Sequence, residues 1–326
     1  MDAEEVGSEF TVALLENLES APAIANNGDV TLVVWEDDRL GGADLFGARL
    51  ARDGTLLDPD GLSIASGIAL HTSPAVASDG SGFLVAYHQD DAGSTTLRAV
   101  TVGADGTINA DVPGELAASS QRPAVAGGSL GYYVVWEAGS SIAGRSVSAA
   151  GVMGAVDTIA ASGEAPRVAQ NPDGHLVVYA SAGAVRGIRI ASGGSVLDPS
   201  PGITLAASDA SKPDIASLGS EFLAVWEDAS SPVVGVTGAR VTWAGTVSDP
   251  AGLTIGQGAS AKSRPRIAGR SGVYLVAWED DRDAGSIYGS TVLPDGSVGP
   301  PGDFQLASSQ PPSVRWPVLA PGPNDD

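Results

Sequence analysis

Two stretches of this 326-residue chain set acids beside an arginine at one fixed spacing: Trp35-Glu36-Asp37-Asp38-Arg39 and Trp278-Glu279-Asp280-Asp281-Arg282. Carboxylates bunched in one loop are what a hard cation such as calcium takes, with about six to eight oxygens around it. Asp283 follows directly, so Asp280, Asp281 and Asp283 form the candidate calcium set. An arginine in the same loop gives those carboxylates another partner. The competing expectation is therefore an Asp–Arg bridge that fixes the turn without a metal. The three histidines, His71, His88 and His175, lie at no metal-ligand spacing. His71 and His88 flank one strand pair and are expected to approach each other. Gly127-Gly128-Ser129-Leu130-Gly131 has the form of a hydrolase nucleophile elbow, which needs a strand before it and a helix after it. Here Tyr132-Tyr133-Val134-Val135 opens a strand instead, and the glycines read as a hairpin turn.

The elements that carry these residues repeat. Apolar runs end in an aromatic at Trp35, Tyr87, Trp136, Tyr179, Trp226 and Trp278, at intervals of 52, 49, 43, 47 and 52 residues. The runs are apolar at successive positions rather than alternating, so both of their faces must be buried. Each is preceded by a proline, one further residue, Ile or Val, and Ala, as in Pro74-Ala-Val-Ala77 and Pro265-Arg-Ile-Ala268. Small residues suit a crowded innermost strand, and proline, which lacks an N–H, suits its first residue. Glycine-rich turns such as Asp79-Gly80 and Asp53-Gly54 separate the runs. Strand units of nearly 50 residues predict an all-β, six-bladed β-propeller of four-stranded blades, about 24 strands in all. Seven blades with one incomplete is the alternative. Phe10–Leu14 resembles a fourth strand and competes with Phe304–Ala307 for the outer slot that closes the ring, while Pro312–Trp316 resembles a first strand. The whole chain, 1–326, is expected to be one domain, with flexible ends at 1–9 and 317–326.

Charge and composition narrow the function. A net charge of −22 repels phosphate backbones and anionic membrane surfaces, so nucleic acid is not an expected partner. No apolar run approaches the roughly 20 residues that a membrane-spanning helix needs. The absence of cysteine removes disulfides, thiolate metal sites and cysteine nucleophiles.

The pattern Trp35-Glu-Asp-Asp-Arg39 followed by Leu45-Phe46-Gly47, and its copy from Trp278 to Ile287-Tyr288-Gly289, resembles a repeat of exported bacterial β-propellers. The resemblance covers nearly the whole chain. It implies a propeller and export to the cell surface or medium, although Met1-Asp-Ala-Glu-Glu5 has no signal-peptide character. It carries no catalytic residue across.

In a propeller, the loops leaving second strands and entering first strands share one face. That face would gather Asp37, Asp38, Arg39, His71, His88, Asp90, Arg122, Asp228, Arg264, Asp280 and Arg282. No single-copy insertion breaks the repeat to build a catalytic pocket. The leading expectation is a non-catalytic extracellular module that binds a protein or glycan on this face. One rival is a polysaccharide-active glycosidase or lyase with an acidic central funnel, which needs a carboxylate pair at catalytic separation. The other is a structural domain of a longer surface protein, with the proline-rich end from Pro311 as the start of a linker.

Overall fold

The computed structural model describes residues 11–12, 19–109, 112, 115–118, 120–283, 285–299, 303–308 and 316–321. Six antiparallel sheets follow one another along the chain. The first is β1 (Glu19–Asn26), β2 (Val30–Asp37), β3 (Asp44–Ala51) and β4 (Leu62–Ala65). The second is β5 (Leu70–Ser78), β6 (Gly82–Asp91) and β7 (Ser94–Gly103), with its outer edge shared by β8 (Ile108–Asn109) and β9 (Ala117–Ala118). The third is β10 (Gln121–Gly128), β11 (Gly131–Ala138), β12 (Ser141–Val147) and β13 (Asp157–Ala160). The fourth is β14 (Glu164–Asn171), β15 (Gly174–Ser181), β16 (Ala184–Ala191) and β17 (Ile203–Ala206). The fifth is β18 (Ala210–Leu218), β19 (Glu221–Asp228), β20 (Gly235–Thr242) and β21 (Leu253–Gly256). The sixth is β22 (Lys262–Arg270), β23 (Val273–Asp280), β24 (Ser286–Val292) and β25 (Phe304–Ala307). The sheets stand in a ring with their first strands innermost, which makes a six-bladed β-propeller. A single 3-10 turn, Asp281–Asp283, is the only helical element among the described residues.

The ring is held by clusters that each span two blades. Leu84 and Ala86 of β6 pack on Tyr132, Val134 and Trp136 of β11. Tyr133 and Val135 pack on Val177 and Tyr179 of the next blade, and Leu223 and Val225 on Tyr274, Val276 and Trp278. This explains the non-alternating runs: odd positions of a second strand face one neighbour and even positions the other. All six aromatic anchors are at most 5% exposed. Burying one such side chain contributes roughly 1.5–3 kcal/mol.

One irregularity recurs in every first strand. Ala21, Ser73, Arg122, Ala165, Lys212 and Arg264, each immediately before a proline, have φ between 47° and 56°. The pairing register shifts at the same places. These are β-bulges, in which proline has no N–H to offer the ladder and the preceding residue turns its own N–H away from the strand.

The chain ends differ from expectation in register. Phe304–Ala307 pairs with β24 and takes the outer slot of the sixth blade. Phe10–Leu14 lies largely outside the described residues, though Val12 packs on Trp35, Phe46 and Ala48. Of Pro312–Trp316 only Trp316 is described. It has φ 56° and precedes Pro317, so the inner-strand motif continues as Pro317-Val-Leu-Ala320, five residues beyond the expected start. Residues 317–320, expected within a flexible end, are half-buried, while 1–9 and 322–326 lie outside the described residues. Leu275 is only partly buried, whereas Leu32, Leu84, Leu176 and Leu223 at the same repeat position are fully buried. Among the described residues, the far side of Leu275 is therefore less closely covered than the same position in the other blades.

Candidate functional site

The acid–arginine loops resolve into a two-part device. In the first blade, Trp35 Nε1 donates to Asp37 Oδ2 at 3.0 Å and Arg39 Nη2 donates to the same oxygen at 2.5 Å. The Arg39 guanidinium lies 3.8 Å above the Phe46 ring, a cation–π contact. The sixth blade repeats this. Trp278 Nε1 donates to Asp280 Oδ2 at 3.3 Å, Arg282 Nη2 to the same atom at 2.6 Å, and Arg282 lies 3.9 Å over Tyr288. Asp280 also accepts from Ser260 Oγ at 2.6 Å and lies 3.4 Å from Lys262 Nζ, both charged side chains being fully buried. Burial alone would raise the Asp280 carboxyl, but the hydrogen bonds from Arg282, Ser260 and Trp278 hold it well below the usual carboxylate range. Asp37 is lowered in the same way, burial being outweighed by Arg39 and Trp35. The glycine after the aromatic is required. A Cβ on Gly47 would lie 2.9 Å from the Val33 carbonyl oxygen, and one on Gly289 2.8 Å from Leu306 Cδ1.

The remaining face residues are distributed, not gathered. Asp38 and Asp281 are exposed, and Asp90 accepts from the Gly93 N–H at 2.7 Å to close its own turn. Asp228 accepts from Ser230 N and Thr237 Oγ1. His71 Nδ1 is 3.0 Å from Asp44 Oδ1, both buried, and His88 pairs across the sheet with Thr72 rather than with His71. Among the described residues no three histidines or acids converge as a metal-ligand group. Ser129 sits in the turn between β10 and β11 with no helix after it, as its surroundings predicted.

The glutamate after each tryptophan, Glu36, Glu137, Glu227 or Glu279, has a different task. Its Oε1 accepts a backbone N–H from a residue of positive φ before a proline: the bulged Ser73 at 2.7 Å, Ala165 at 2.6 Å and Arg264 at 2.8 Å of the following inner strands, and Trp316 at 2.7 Å. A cation from its own blade completes three of these carboxylates: Arg122 on Glu137 at 3.0 Å, Lys212 on Glu227 at 2.9 Å and Arg264 on Glu279 at 2.7 Å. The bulge therefore aims an N–H at a neighbour's carboxylate, and the pair latches blade to blade. Sequence reasoning missed this role. The signal was present, because glutamate follows all four anchor tryptophans while His88 and Ala180 follow the two anchor tyrosines. A second missed device lies on the outer strands. Arg49, Arg189 and Arg240 each grip an aspartate nine residues on (Asp58, Asp198, Asp249) through two nitrogens, and donate to a carbonyl of the next blade.

Where His88 replaces the latch glutamate, the junction of the second and third blades opens into a cleft of about 300 Å³ lined by Ser73, His88, Thr95, Ser120, Gln121 and Arg122. Ser120 is 1% exposed, and neither its Oγ nor His88 Nε2 has a hydrogen-bond partner. Burial lowers the His88 ring below the ordinary histidine range. A larger, shallower recess of about 660 Å³ lies beside the sixth blade, lined by residues 257–261, Asp281, Arg282 and Asp303.

No protein-family profile matches the chain, and no curated protein matches it in sequence. Among solved structures it resembles TolB from Acinetobacter baumannii, with a TM-score of 0.51 and 16% identity over 91% of this chain and 68% of that one. It also resembles oligopeptidase B from Trypanosoma brucei, with a TM-score of 0.54 and 10% identity over 92% of this chain and 42% of the other. A GH43 endo-arabinanase from Bacillus licheniformis matches with a TM-score of 0.42 and 12% identity over 88% of this chain and 98% of that one. At such identities the likeness is one of fold alone.

Proposed function

We propose that this protein is a non-catalytic binding module of the cell surface or extracellular medium, taking a glycan on the face where second strands end and first strands begin. The observation that carries the reading is the occupation of that face's acids by the protein's own donors. Asp37 and Asp280 are tied to tryptophan and arginine, and Glu36, Glu137, Glu227 and Glu279 accept backbone N–H groups across blade junctions. A general acid or base must exchange a proton with substrate; Asp37 and Asp280, whose carboxyls their donors hold low, are poor proton carriers, and the glutamates' Oε1 atoms are already taken by backbone N–H groups. The glycosidase or lyase reading would need two carboxylates free of such ties at catalytic separation. Hydroxyl and amide side chains in the cleft between the second and third blades, Ser73, Thr95, Ser120 and Gln121, suit a polyhydroxylated ligand. The test is a polysaccharide panel run for both retention and turnover. Retardation of the purified protein in a gel containing one polysaccharide, with no reducing ends or unsaturated products released, is the expected result. Release of products from any of them overturns it.

A further inference from the structure

We propose that the cleft between the second and third blades binds the carboxylate of a single uronic acid residue. The ligand's carboxylate would take the place that a glutamate holds elsewhere in the repeat. The proposal rests on the binding-module reading and gives it a site and a ligand class.

The protein supplies its own precedent. Four glutamates put a carboxylate against the N–H of a residue of positive φ before a proline at 2.6–2.8 Å. That place in the fold therefore stabilises a carboxylate: the N–H of a residue with positive φ points out of the ladder, and a charged acceptor meets it with a stronger bond than a neutral one. Between the second and third blades the bulged residue is Arg122, φ 49°, and the side chain opposite is His88, which brings no carboxylate. The space is not refilled by packing. It remains a cleft of about 300 Å³. At the junction after the fourth blade the glutamate is replaced by Ala180, but there the residue is 3% exposed and Lys212 turns to Glu227 at 2.9 Å.

The lining selects the ligand. Ser120 Oγ is buried with no partner among the described residues, and a buried hydroxyl left unsatisfied is costly, so an acceptor arriving there is favoured. The Arg122 side chain is 57% exposed, and among the described residues its Nη1 is the engaged nitrogen, at 3.0 Å from Glu137 and 3.9 Å from Glu164. A guanidinium has five N–H donors, so others remain for a ligand oxygen. Ser73, Thr95 and Gln121 offer hydroxyl and amide partners around it, as a sugar ring requires. The volume suits one ring rather than a chain. A net charge of −22 also repels a long polyanion, which favours a uronate at a chain end.

The experiment is calorimetric titration of the full chain at neutral pH with galacturonate, galactose and acetate. Galacturonate should bind, with galactose at least about tenfold weaker, one lost charged hydrogen bond being about that factor, and acetate at least about tenfold weaker because it lacks the ring hydroxyls that meet Ser73, Thr95 and Gln121. Ser120→Ala should weaken galacturonate by about tenfold. His88→Glu places the repeat's own carboxylate in the cleft. It should abolish galacturonate binding and melt above the wild type. No binding of galacturonate to the wild type, or equal binding to His88→Glu, overturns the proposal, and acetate binding as tightly as galacturonate overturns the sugar. Retention on a neutral polysaccharide without a galacturonate response would sink this site and leave the binding module standing. Turnover of a uronate polymer would sink the binding module itself.

Discussion

Asp280 shows how a charge is kept inside this protein. Its side chain and that of Lys262 are both fully buried, and Arg282, Ser260 and Trp278 complete the carboxylate's hydrogen bonds. Removing one partner of such a set leaves an uncompensated buried charge, which costs about 3–5 kcal/mol, whereas replacing both ions by apolar groups is often neutral. Asp280→Ala is therefore expected to lower stability by about 3–5 kcal/mol in urea unfolding, and Asp280→Leu with Lys262→Met to recover most of the loss. An equal loss in the double variant would show that the pair itself holds the loop. His175 is the opposite case, a titratable ring that must stay neutral. It is 2% exposed and neither nitrogen has a hydrogen-bond partner. It stacks on Tyr133 with ring centroids 4.9 Å apart, and burial pushes its pKa down to about 4. Between an unfolded value near 6.5 and that folded value, the unfolded chain holds the extra proton. Stability should be fully present above about pH 6.5 and fall by roughly 3 kcal/mol as the pH drops toward 4. His175→Phe should flatten that part of the pH profile. A slope unchanged by the substitution would place the acid sensitivity on His88, the other ring that burial lowers, since the lowered aspartates act only at lower pH. Residue types were legible in the sequence at this scale, but partners were not. Glu36 and Asp37 are adjacent acids, yet one latches the next blade and the other holds its own loop, because neighbouring strand residues point to opposite faces.

Second strands were the most legible elements, because burial on both faces leaves a run with no polar interruption. Trp136 closes one such run, 1% exposed in the cluster that joins the second and third blades. Trp136→Ala should cost about 3–5 kcal/mol, read as a lower melting temperature and an earlier urea midpoint, and an unchanged melting curve would refute the packing. The inner strands were legible through proline and alanine, but the bulge was not. The residue before proline is ordinarily extended, whereas six such residues here have positive φ, and the latch to a glutamate accounts for Ser73, Ala165 and Arg264 among them. At the end of the chain residues 312–315 lie outside the described residues, and the described pre-proline residue of positive φ is Trp316. Pro317-Val-Leu-Ala320 carries Leu where the other copies carry Ile or Val, and Pro312-Ser-Val looked closer to the pattern. What places the seventh copy is the bond from Trp316 N to Glu279, which sequence alone does not display. The arginine clamps of the outer strands were hidden because Arg49 and Asp58 lie nine residues apart across an irregular turn, a spacing with no helix or strand period.

At the scale of the molecule the ring was legible from its period, and the function was not. Repetition records what every blade needs, whereas a binding site here is a place where one blade departs from the rest. Charge is the property that belongs to the whole. The chain carries 39 acids against 17 bases. Ten of those bases, among them Arg39, Arg49 and Lys262, are already paired with carboxylates in ion bridges among the described residues. The surplus acids therefore repel one another across the surface, and such repulsion weakens the compact state more than the expanded one. Exposed charges are screened over about 10 Å at 0.1 M salt, while buried pairs such as Lys262–Asp280 are screened far less. Sodium chloride should thus raise the melting temperature steadily from low ionic strength to 0.5 M. Calcium distinguishes general screening from a built site. Asp280, the inner member of the candidate set Asp280, Asp281 and Asp283, already accepts from Arg282, and a cation would have to displace that guanidinium. Millimolar calcium is therefore expected to raise the melting temperature no more than magnesium at the same concentration. A calcium-specific increase that Asp281→Asn removes would instead assign these loops to a metal, since a ligand that binds only the folded state stabilises it in proportion to its affinity.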